Sequence, residues 1–193
     1  MQWEKERKEI VRVAKKIYKK GLVTANSGNF SVRTANETIL ITPRSKSYER
    51  LKFSDIIELN FDGKVIEGSR EPSSEYRLHI EIYKERKDIN AVIHTHSTFA
   101  CALASLNQSL PVILDEQRAV FGGEIRVAKY AVSGTEELAK EAVKALKNRK
   151  AVFLSRHGAV AVGKNISEAD AICELIEKFC QIYVFMRLLQ KQA

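Results

Sequence analysis

The hydrophobic period changes repeatedly along this chain, and that succession restricts it to a layered fold of helices against a sheet. Residues 4–20 set Ile10, Val13, Ala14 and Ile17 at helical spacing, and Gly21 after a basic last turn acts as a stop. From Asn29 to Leu59 the period shortens. Residues 29–33, 38–42 and 56–60 are short, rich in β-branched side chains and separated by turn formers, and Asp62-Gly63 predicts a hairpin turn before residues 64–68. After Pro72, Ser73 or Ser74 caps a predicted helix to about Arg86 that uses Leu78, Ile80 and Ile82 as its apolar contacts. Residues 90–96 read as a strand, 97–106 as a short helix, and 112–114 and 125–129 as further strands. Thr135 caps a helix to about Lys147, residues 151–163 form a strand pair around Gly158, and Ser167 opens a last long helix. Helices interspersed among short strands predict an α/β or α+β layered domain whose sheet is covered by helices.

The bulk properties agree with one packed unit. A chain of 193 residues suits a single domain spanning 1–193. Hydrophobic residues make up 45% and charged residues 29%, a balance that buries a sizeable core and is unlike a disordered composition. The longest apolar runs fall far short of the roughly 20 residues of a membrane span. Residues 1–16 mix acidic with basic side chains and carry no apolar signal core, so a cytoplasmic protein is expected. Cys101, Cys173 and Cys180 lack CxxC spacing and read as reduced core residues. The net charge of +8 is scattered among Asp and Glu without interleaved aromatics, which argues against a nucleic-acid partner and suits a small phosphorylated substrate.

The histidines are the chemically informative residues. Alternation along residues 90–96 sends His94 and His96 to the same sheet face and Thr95 to the other. That geometry serves either two imidazole ligands on one metal or a hydrogen-bonded pair at a strand end. His157 follows another apolar strand, and Gly158 behind it permits close backbone approach; by itself it reads as structural, and its company makes it a third ligand candidate. Glu75 falls in the expected first turn of the helix after Pro72, where an acid either complements the helix dipole or completes a metal site. His79, one turn on, reads as a helix-packing residue. The clusters at residues 24–33 and 71–75 offer small and hydroxyl side chains for a phosphate cradle, or an ordinary turn and cap.

Taken in order, Ser-Gly-Asn-Phe-Ser-Val-Arg at 27–33, residues 41–51, Pro-Ser-Ser-Glu at 72–75 with the helix behind it, His-Thr-His at 94–96 and Arg-His-Gly at 156–158 resemble the class II aldolase/adducin family over most of the chain. The resemblance implies an α/β domain with a central, mainly antiparallel sheet, assembled as a homotetramer with active sites between subunits. It implies zinc held by His94, His96 and His157, with Glu75 as a ligand of the resting metal and an acid/base once substrate arrives. It implies phosphate contacts from Gly28, Asn29, Ser73 and Ser74. The activity implied is reversible cleavage of a ketose 1-phosphate of the fuculose type to dihydroxyacetone phosphate and an aldehyde. Two departures stand out. Arg44-Ser45 replaces a Thr-Gly pair, so Thr42, Ser45 or Arg44 takes over one phosphate-side contact. A loop tyrosine supplied by the neighbouring subunit is replaced by Asp115 or Glu116 as the group that takes the C4 hydroxyl proton. On the same scaffold, a methylthioribulose-1-phosphate dehydratase and a sugar-phosphate 4-epimerase are the rival chemistries, the latter favouring aspartate where Glu75 stands. A non-enzymatic binding protein is the alternative of another class, against which the complete metal set speaks.

Overall fold

A computed structural model describes residues 1–190. Its elements in chain order are α1 (Glu4–Lys19), β1 (Asn29–Arg33), β2 (Ile39–Ile41), β3 (Ile57–Leu59), β4 (Val65–Glu67), α2 (Tyr76–Glu85), β5 (Ala91–Thr95), α3 (Thr98–Ser105), α4 (Asp115–Phe121), β6 (Arg126–Ala128), α5 (Glu136–Leu146), β7 (Ala151–Leu154), β8 (Gly158–Gly163) and α6 (Ile166–Gln190). The strands form one eight-stranded sheet in the order β4-β3-β2-β1-β5-β8-β7-β6. Every neighbouring pair is antiparallel except β6–β7. The architecture is therefore the layered α/β domain with a mainly antiparallel sheet that the sequence led us to expect.

The pleat sorts the side chains onto two cores. Phe30, Val32, Leu40, Ala91, Ile93, Phe153, Ala159 and Ala161 face α1, α3 and α6. Ile39, Ile41, Val92, Val152, Leu154, Val160 and Val162 face α2 and α5. His94 continues the parity of Val92, so it lies on the α2/α5 side. It pairs in register with Asn29 on β1 and Val160 on β8.

Three local readings are corrected. Residues 112–114 make no strand: Pro111 has no N–H to give a ladder, and the amides of Ile113 and Leu114 donate instead to Gln117 Oε1 at 2.8 and 2.9 Å. Those bonds start α4, a helix the β-branched pattern concealed. The last helix begins at Ile166, and its cap is Asn165, whose Oδ1 accepts from the Glu168 amide at 2.9 Å, rather than Ser167. The second helix begins at Tyr76, so Glu75 precedes its first turn, and Ser73 Oγ accepts from the Glu75 amide at 3.3 Å. Placing Glu75 just outside the helix matters for the site, because its side chain is free to turn toward the sheet.

Candidate metal centre

Three elements bring the imidazoles together. His94 is the next-to-last residue of buried β5, His96 follows it past Thr95, and His157 sits in the tight turn between β7 and β8, where Arg156 takes a left-handed φ of 55°. His94 Nε2 lies 2.8 Å from His96 Nε2 and 3.3 Å from His157 Nε2. The Glu75 carboxylate closes the group, with Oε2 3.3 Å from His94 Nε2 and Oε1 3.5 Å from His157 Nε2. His94 Nδ1 donates to the Ala159 carbonyl at 3.0 Å, which fixes its tautomer and leaves the Nε2 lone pair facing the cluster. A tetrahedral zinc with N ligands at about 2.0–2.1 Å has ligand–ligand edges of about 3.4 Å. The 3.3, 3.3 and 3.5 Å separations fit that figure and the 2.8 Å between His94 and His96 is shorter than it; His94, His96 and His157 form a triad able to hold a metal ion.

The electrostatics match that use. Burial pushes the His94 imidazole down to about 3 and also lowers His96, so both are neutral near pH 7 with lone pairs to give. Burial would raise the Glu75 carboxyl, but the charge of His94 and His157 when protonated and hydrogen bonds from Asn29 and Ser133 outweigh it and hold it below the ordinary carboxylate range, so it is ionised near pH 7. Neutral imidazoles beside one ionised carboxylate are the donor set of a borderline divalent cation.

Above the cluster lies a cavity of about 250 Å³. Of the residues read from sequence, Gly28, Asn29, Arg44, Ser45, Ser73, Ser74, Glu75, His96 and His157 line it, and His94 is buried beneath. Thr42 does not: its hydroxyl accepts from the Phe30 amide at 3.1 Å and its carbonyl from the Ser73 amide at 3.1 Å, so it braces the cradle from behind. Asp115 and Glu116 are exposed on α4, outside this cavity, with Glu116 3.9 Å from Lys178 on α6. His79 is no ligand; it is fully buried and bonded to Asn29 and Ser31. Sequence reasoning passed over Ser133, whose Oγ donates to Glu75 Oε1 at 3.0 Å. It stands in Ser-Gly-Thr, which reads as a turn and carries no other signal. Ser31 was also passed over, although alternation puts it beside Asn29 on one face of β1.

Two results are expected here. Gly158→Ala places a Cβ 3.0 Å from His96 Cδ2 and 3.1 Å from His94 Cε1, as well as against the Thr95 carbonyl. Overpacking of this kind costs about 1–3 kcal/mol. A lower melting temperature and less metal per chain should follow, measured by calorimetry and elemental analysis. The second concerns acid. Buried His79 has its pKa lowered from 6.5 to about 3, so the unfolded chain binds the extra proton first. Its contribution to stability is complete above pH 6.5 and is lost as pH falls toward 3. Lowering the pH from 6.5 to 5 should cost about 2 kcal/mol at this group, read as a reduced urea midpoint.

An α/β layered domain carrying three imidazoles and a carboxylate on one sheet face defines a protein built to hold a divalent cation under a small polar cavity. Residues 8–184 match the family model described as Class II Aldolase and Adducin N-terminal domain. The 5-deoxy-D-ribulose 1-phosphate aldolase of Bacillus thuringiensis serovar kurstaki is 41% identical over 181 residues, covering 93% of this chain and 84% of that protein. The L-fuculose phosphate aldolase of Escherichia coli K12 is 38% identical over 184 residues, covering 95% of this chain and 85% of that protein. A solved L-fuculose 1-phosphate aldolase superposes with a TM-score of 0.94 at 37% identity, over 98% of this chain and 89% of the other. The chain belongs to the class II aldolase/adducin family, and among its members it sides with the lyases that act on sugar phosphates.

Proposed function

We propose that this chain is a zinc-dependent aldolase that reversibly cleaves a ketose 1-phosphate to dihydroxyacetone phosphate and an aldehyde. The observation that carries the reading is the convergence of His94, His96, His157 and Glu75 at the floor of a cavity rimmed by small and hydroxyl residues. Zinc on the three imidazoles would supply Lewis acidity for the negative charge that develops on the substrate oxygens. The rest falls to the chain. Gly28, Ser73, Ser74 and Ser45 offer amides and hydroxyls to the phosphate, with Arg44 at the rim as a cation. Once substrate oxygens take its place among the ligands, the Glu75 carboxyl keeps its Asn29 and Ser133 donors and has burial as its strongest influence, which raises its proton affinity. It then takes a proton from solvent and delivers it to C3 after the C3–C4 bond breaks.

The C4 hydroxyl proton must leave as that bond breaks, and Asp115 or Glu116 of a neighbouring copy is the group we assign. This requires an oligomer with sites between subunits, and we propose a homotetramer on family resemblance. Light scattering should give a stable tetramer; a fully active monomer would contradict the shared site. We place the enzyme in the cytoplasm, where free Cys101, Cys173 and Cys180 stay reduced. Among the described residues no helix is long and apolar enough to cross a membrane.

The relatives differ in substrate: one is named for 5-deoxy-D-ribulose 1-phosphate and others for L-fuculose phosphate. The test is a product screen with fuculose, 5-deoxyribulose and methylthioribulose 1-phosphates. Release of dihydroxyacetone phosphate supports the aldolase. Loss of water with the carbon chain intact would assign a dehydratase instead.

A further inference from the structure

One face of β1 carries Asn29, expected above as a phosphate contact but with both ends of its amide bonded to Glu75 and His79, and Ser31, which the chemistry above does not use. Asn29 and Ser31 alternate onto the side covered by α2, where His79 and Tyr83 lie one helical turn apart. Tyr83 Oη is 2.8 Å from Ser31 Oγ, and Ser31 Oγ is 2.6 Å from His79 Nδ1. His79 Nε2 bonds Asn29 Oδ1, and Asn29 Nδ2 donates to Glu75 Oε2 at 2.9 Å. All five residues are buried.

The chemistry of the groups allows one direction through this chain. An ionised carboxylate only accepts, so Asn29 must turn its NH₂ toward Glu75 and its carbonyl toward His79. That carbonyl needs a donor, which makes His79 the Nε2–H tautomer. A neutral imidazole then has its lone pair on Nδ1, which the Ser31 hydroxyl satisfies, and Ser31 in turn accepts from Tyr83. Burial lowers the imidazole of His79 and raises the phenol of Tyr83, so both stay neutral. Reversing the chain would set the Asn29 carbonyl against the Glu75 carboxylate, two acceptors face to face.

We propose that Tyr83, Ser31 and His79 are positioning residues: they lock the Asn29 amide and through it hold the Glu75 carboxylate in its reactive orientation. Ser133 holds the other oxygen, so both oxygens of Glu75 have a fixed donor. The inference rests on the aldolase reading for its kinetic arm alone.

The experiment combines ¹⁵N NMR of the histidine-labelled, zinc-loaded protein with steady-state kinetics. The His79 signal is assigned by its absence in His79→Gln. The wild type should show the Nε2–H tautomer, and Ser31→Ala, which removes the donor to Nδ1, should show a mixture. That variant frees the His79 tautomer and so loosens the Asn29 amide that donates to Glu75, and kcat should fall about 10-fold while KM stays within about twofold and zinc content is unchanged. Tyr83→Phe keeps the ring and its packing and should lower kcat by a smaller factor, about threefold, since it acts one hydrogen bond further out. An Nδ1–H tautomer in the wild type would overturn the lock. So would unchanged kcat in both variants, or a loss of activity that only tracks loss of zinc. A wild type that turns over no ketose 1-phosphate, yet shows the Nε2–H tautomer released by Ser31→Ala, would remove the aldolase reading and leave the amide lock supported.

Discussion

A chain carrying His94→Ala and His96→Ala together is expected to lose its divalent metal, from about one ion per chain to none, and to lose at least about 1,000-fold in cleavage. The geometry explains why both changes are needed for a clean result. Glu75 faces His94 and His157, and His96 lies 2.8 Å from His94, so each single change leaves two imidazoles and a carboxylate near one point. Removing both leaves His157 and Glu75, too few ligands for a closed site. The fold should survive: the Ala159 carbonyl loses the donor at His94 Nδ1, at about 1–3 kcal/mol, which one packed domain tolerates. Elemental analysis and circular dichroism read the two effects separately. Metal retained at wild-type level in the folded double variant would sink the assigned centre. If the histidines were only a hydrogen-bonded cluster, the wild type would carry no stoichiometric metal at all.

How far the site was legible follows from which contacts are local. His94 and His96 were placed on one face by the alternation of a single strand, which depends on nothing distant. His157 came from a turn 61 residues after His96 in the chain; its company made it a candidate, and the family resemblance joined it to the pair, since strand order is not written in periodicity. Glu75 was assigned to a helical first turn, yet it stands outside α2, because Ser73 and Ser74 form the preceding turn rather than the cap. That difference of one position aims its carboxylate at the sheet. The strand expected at 112–114 failed for a comparable reason: Val112, Ile113 and Leu114 have the right side chains, but a glutamine five residues beyond Val112 captured the amides a ladder would have used. Ser133 and Ser31 act through single hydroxyls whose partners lie 58 and 48 residues away, and no local pattern marks such a pairing.

Glu75→Gln separates the catalytic reading of this residue from its bland alternative. Glutamine is nearly isosteric and its carbonyl can still accept from Asn29 Nδ2, while three histidines remain for the metal. Fold and most of the metal should therefore persist. Glutamine cannot carry a proton to carbon, so turnover should fall at least about 100-fold, the scale set by removing a positioned acid/base. If the acid merely complemented the start of α2, the change would cost at most about 1 kcal/mol of stability and leave turnover nearly intact. The position of Glu75 before Tyr76, with its oxygens on Asn29, Ser133, His94 and His157 rather than on helix amides, argues for the first outcome. Exchange of solvent deuterium into C3 of dihydroxyacetone phosphate isolates the proton transfer from bond cleavage. It should collapse in Glu75→Gln and survive Asp115→Asn and Glu116→Gln, because those side chains are assigned to the C4 hydroxyl. Wild-type exchange in Glu75→Gln would take Glu75 out of the proton transfer, even with cleavage impaired, and leave it as a ligand alone.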